Sequence, residues 1–130
     1  MVYVKKTLPY SAFAAGATSS DVTILTTTAE CLVTRPILVV DTDFAGGSVN
    51  ACNVSIGPAA AETALLANTD VFTGVNNGFA NATVSNTAAK AVAKGVAIVA
   101  RMNASHNTNT LNAGMLTVWV DVRSLEKSQL

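Results

Sequence analysis

Charge is what this sequence has least of. Only 12% of its 130 residues are Asp, Glu, Lys or Arg, against about 25% in an ordinary soluble domain. Eight cations balance eight anions, and no basic cluster exceeds the pair Lys5-Lys6. A nucleic-acid partner is excluded on that ground, because neutralising phosphates takes a basic face. Histidine is reduced to His106, in the polar stretch SHNTNT, so a Ser or Cys nucleophile lacks its usual base. Cys31 and Cys52 stand too far from each other and from His106 for the short ligand spacings of a zinc site. Long hydrophobic runs are missing too. Ala88–Met102 is interrupted by Lys90, Lys94 and Arg101 and falls short of the roughly 20 apolar residues of a membrane span. The opening MVYVKKTLPY has no continuous apolar stretch after its lysines, which argues against a secretory signal and for a chain made and kept in the cytoplasm until it is assembled.

What remains is half hydrophobic, with a mean hydropathy of +0.41. Thr, Asn, Ser and Ala must cover much of the surface, and a neutral surface of that kind keeps molecules apart poorly. Part of it is therefore expected to be contact surface in a homo-oligomer or larger particle. A length of 130 residues fits a single domain with one core. The two cysteines read as reduced, buried small hydrophobes, since a core of this size needs no staple.

Alternation with a period of two marks the strands. It is clearest over Met115–Arg123, where Leu116, Val118, Val120 and Val122 share one face and Met115, Thr117, Trp119, Asp121 and Arg123 the other. Val96–Met102 and Ala51–Gly57 alternate as well, Asp21–Thr28 is Thr-rich and β-branched, and Cys31–Val40 is an apolar run broken only by Thr34, Arg35 and Pro36. Pro36 must sit at an edge or a bulge, because it cannot donate to a ladder. Turns at Gly46-Gly47-Ser48 and Gly57-Pro58 punctuate these runs. Two short segments, Ala59–Ala67 and Ala88–Lys94, have helical composition. The class expected is all-β, a jelly-roll or related β-sandwich over residues 21–130.

No residue set supports catalysis, and no cofactor is expected. Asp41-Thr42-Asp43-Phe44-Ala45-Gly46 opens like a calcium loop, but Cys52 stands where the bidentate Glu is needed; Asp41 and Asp43 read instead as a strand end, and no metal site is assigned. Asp21, Glu30, Glu62, Asp70 and Asp121 offer carboxylates without a discernible pairing. Trp119 reads as core or interface packing, with a sugar shelf as its rival. Residues 1–20 form either an extended arm or an edge strand. In the first case Tyr3, Tyr10 and Phe13 are the candidate assembly contacts, anchoring the arm on a neighbour.

From Asp21 to Arg123 the chain, with its Thr- and Val-rich strands, the segment NVSIG, an Asn/Gly/Ala-rich middle, GVAIVARMNAS and the closing LNAGMLTVWVDVR, resembles the small jelly-roll decoration, or cement, proteins of tailed-bacteriophage capsids. The resemblance implies a non-enzymatic virion protein, a homotrimer bound to the major capsid protein on the capsid surface. Another phage role, a head-fibre base or tail protein, and a carbohydrate-binding module are the alternatives.

Overall fold

The computed structural model describes residues 2–72, 77–85 and 89–125. Its strands are β1 (Val2–Pro9), β2 (Ser19–Thr26), β3 (Cys31–Ala45), β4 (Cys52–Pro58), β5 (Leu66–Asp70), β6 (Thr83–Val84), β7 (Lys90–Val92), β8 (Ala97–Ala104) and β9 (Ala113–Ser124). They form two antiparallel sheets. One has the order β1-β9-β3-β6, with β7 also paired to β3; the other is β2-β8-β4-β5. The pairing is nested, first strand with last (β1·β9), second with next to last (β2·β8), β3 with β6 and β7, and β4 with β5. A long hairpin rolled up in this way is a jelly roll.

The alternation seen in the sequence is what fills the space between the sheets. Leu116, Val118 and Val120 of β9, Leu38 and Val33 of β3, Val54 and Ile56 of β4, and Ile98, Ala100 and Met102 of β8 are all buried in one core. The long β3 keeps its inward set in phase by slipping register between Thr34 and Ile37. Pro36 sits in that slip, beside Arg35 at φ 44°, so the missing donor falls where the ladder is already broken. At the other end, buried Thr27 receives the Val96 N–H at 2.9 Å and donates to the Ala93 carbonyl at 2.7 Å, tying β2 to the turn before β8.

The leading segment belongs to this fold. Residues 2–9 pair with β9 in one unbroken register from Val2↔Val122 to Pro9↔Met115, which makes the segment an edge strand, one of the two arrangements open from the sequence. Leu8 is buried, and a 3-10 turn, Tyr10–Phe13, then drops Phe13 into the core at 0% exposure. Its ring meets Phe44 edge-on, with centroids 5.9 Å apart. Val118, opposite Lys6, faces the core, yet Lys6 itself is exposed. A lysine on the inner side of an edge strand discourages further strand addition.

Neither expected helix forms. Residues 59–65 make a chain of turns, with Ala61 N–H bonded to Pro58 O and Ala64 N–H to Ala61 O, before β5 begins at Leu66. Two helical turns nucleate poorly in isolation, and here the sheet captures the residues that follow. In the second segment Ala88 lies outside the described residues, while Lys90–Val92 pairs with β3 and buries Val92 beside Cys31. Strand pairing and burial outweigh the helical propensity of Ala and Lys.

Candidate interaction surface

The two outer faces of the sandwich differ. In sheet β2-β8-β4-β5 the outer row Asp21–Arg101–Ser55 is set by register. Arg101 grips Asp21 with two bonds, Nε to Oδ1 at 2.6 Å and Nη2 to Oδ2 at 2.8 Å, and reaches Glu62 Oε2 at 3.1 Å. The guanidinium, hydrogen-bonded to Asp21, holds its carboxyl below the ordinary Asp value. Through Glu62 the same Arg101 straps the turns after β4 over the sheet. Gly57 lies beneath this strap, where a Cβ would collide with the Ala61 carbonyl. Around Gly57 and Arg101 that face is covered by the chain itself.

The outer face of sheet β1-β9-β3-β6 mixes polar groups with a partly open apolar row. Register places Lys5, Trp119, Ile37 and Val84 in one row across its strands. The 77–82 segment is anchored by the Gly78 N–H on Val40 O and stands Phe79 edge-on to Trp119, with centroids 5.8 Å apart. The Lys5 ammonium lies 5.5 Å from the Trp119 ring centre, a cation–π contact. Phe79 is 70% exposed, Val84 57%, Tyr3 55% and Met115 38%. Of the five large hydrophobic residues exposed among the described ones, only Leu125 lies elsewhere. Contiguous apolar surface of this kind marks interaction sites.

Polar groups on this face are organised too. Thr117 Oγ1 donates to Asp41 Oδ2 at 2.7 Å, so its oxygen is left to accept from Thr7 Oγ1 at 3.3 Å. Asp41 is thus part of a hydroxyl–carboxylate chain, and among the described residues no three His, Cys, Asp or Glu side chains converge to hold a metal. Asp121 is buried between Tyr3 and Thr34 in register, its Oδ1 lacking a hydrogen-bond partner among the described residues.

Of the residues singled out from sequence, Tyr3 belongs to the open face, Tyr10 packs half-buried against the core, and Phe13 is inside it. Phe13 therefore presents nothing to a neighbour. His106 is exposed, with Nδ1 3.2 Å from Ser105 Oγ, a hydroxyl that already accepts the Asn50 and Ala51 N–H groups at 2.9 and 3.2 Å and so serves the turn. Asp21 and Glu62 flank Arg101 and act as its counter-ions. Cys31 and Cys52 are both buried and unbonded. Burial, with Asp70 adding to it, pushes the Cys52 thiol up to about 12, which leaves it inert as a nucleophile. Sequence reasoning missed Phe79, Ile37 and Val84. The outward parity of Trp119 was legible, but which strands flank it was not.

Two antiparallel sheets with nested strand pairing define a jelly-roll β-sandwich. No protein-family model matches the chain, and no curated protein does. Among solved structures it is similar to a chain described as "Cyanophage Pam1 capsid asymmetric unit", at TM-score 0.59 and 19% identity, over 94% of this chain and 81% of that one. A likeness at that identity is one of fold.

Proposed function

We propose that this chain is a structural virion protein that binds the outside of a viral capsid and stabilises it, as a decoration protein does, through the face centred on Trp119. The observation that carries the reading is the apolar row of half-buried Trp119 and Ile37 and exposed Val84, with exposed Phe79 standing on it. The charge-poor composition and the likeness to a phage capsid chain support it. The mechanism is mechanical. Apolar area removed from water contributes roughly 25 cal/mol per Å² before association entropy is subtracted, and contacts spread over neighbouring capsid subunits resist their separation. The partners are the major capsid protein and further copies of this chain in a homotrimer. Neither catalysis nor a cofactor enters.

Co-sedimentation of the purified protein with particles stripped of it tests the reading. Phe79→Ser, at a 70% exposed position, should leave the fold intact and weaken binding at least tenfold, and Trp119→Glu should abolish it. Equal binding by wild type and both folded variants would overturn the reading. Light scattering tests the trimer, which predicts three times the 13.3 kDa chain mass; a stable monomer would refute that part. A few copies per particle, measured by quantitative mass spectrometry, would favour a head-fibre base or tail position.

A further inference from the structure

At the start of β4, away from the Trp119 face, Asn50, Ala51, Asn53, Asn68, Asp70 and Phe72 line an open pocket of about 340 Å³. Its volume lies at the lower end of the range of small-ligand sites, roughly 300–1,000 Å³. The site is built by the sheet. Asn53 and Asp70 are directly opposed across β4 and β5, so their side chains leave the same face side by side. Asp70 is held in place by its Oδ1, which accepts the Phe72 N–H at 2.9 Å. Asn53 Oδ1 is buried with no hydrogen-bond partner among the described residues, and a turn of the amide would bring one of its polar atoms to the pocket.

We infer that this pocket binds a sugar, taking the vicinal hydroxyls of a single pyranose between Asp70 and the Asn53 and Asn68 amides with its C–H face toward Phe72. Three asparagine amides carry donors and acceptors in equal measure, and a polyol is the ligand that answers both. The carboxylate accepts from hydroxyls in charge-assisted bonds. It repels phosphates and organic acids, and among the described residues no Lys or Arg lines the pocket to offset it. A bare divalent cation would leave the amide N–H groups and the Phe72 ring without a role, and a single carboxylate is little charge for it. The inference is independent of the capsid reading.

Titration calorimetry and saturation-transfer NMR on the full chain test it, using the methyl glycosides of glucose, galactose, mannose and N-acetylglucosamine up to tens of millimolar. At least one should bind with a millimolar Kd. Asp70→Asn keeps an oxygen for the Phe72 N–H and should weaken that binding roughly tenfold or more. Asn68→Ala, at an exposed position, should weaken it several-fold, whereas Lys94→Ala should leave it unchanged. The inference is overturned if no glycoside saturates, or if binding survives both pocket variants. It is equally overturned if Trp119→Ala alone removes binding, or if calcium chloride shifts the pocket resonances where no glycoside does.

Discussion

Phe13→Ala is the sharpest test of how the leading segment is used. The side chain is fully buried and packs edge-on against Phe44 at 5.9 Å. Truncating a buried Phe costs about 3–5 kcal/mol, and loss of the aromatic pair, about 0.5–1.5 kcal/mol beyond area, places this site in the upper part of that range. Against a total stability of about 5–15 kcal/mol the variant is severely weakened. At roughly 3–5 °C per kcal/mol for a domain of this length, its midpoint should fall by about 15–20 °C. Urea unfolding read by fluorescence of the single Trp119, with thermal circular dichroism alongside, measures both quantities. Should Phe13→Ala fail to fold, Phe13→Leu retains most of the volume and is expected to lose only about 1–2 kcal/mol. Tyr3→Ala, on the exposed face of the same segment, should cost under about 1 kcal/mol. If Phe13→Ala also costs under about 1 kcal/mol in the free protein, the residue is not core and the arm arrangement returns.

Asp21, with its folded-state pKa held below the usual value by Arg101, contributes stability that is fully present above its unfolded value near 3.8 and lost as pH falls through the lower folded value. Thermal melts should therefore show Arg101→Met destabilised at neutral pH and less sensitive than wild type to acid below about pH 4. Cys31 and Cys52, both buried, should resist a thiol reagent at pH 8 in the native protein and react as two equivalents in urea; rapid native labelling would contradict their burial. Lys6→Val removes the inward lysine of edge strand β1 and should raise aggregation on storage, followed by turbidity, with little change in the melting midpoint.

The strands were legible wherever one face of a segment is core and the other solvent, as in Met115–Arg123, because the pleat writes that difference into alternate residues. Pro36 announced its bulge for the same kind of local reason. Phe13 misled because the aromatic sits among Ser, Ala and Gly, where no periodicity tells a buried ring from an exposed one. The Ala-rich stretches 59–67 and 88–94 carried helical propensity that long-range pairing with β4 and β3 overrides. The Trp119 face was half visible. Its outward parity is local, but its apolar neighbours Ile37, Val84 and Phe79 come from strands and turns that only the nested pairing brings together. The pocket around Asp70 was illegible for the same reason, since Asn53 and Asp70 meet only through the β4–β5 register.

The central claim is that an apolar outer sheet face seats this jelly roll on a capsid. A cryo-electron microscopy reconstruction of capsids that carry the chain tests it most directly. The account predicts density for the jelly-roll fold outside the shell in many copies, with Trp119, Phe79 and Val84 against the major capsid protein. Particles without that density, or with this face turned to solvent, would contradict it.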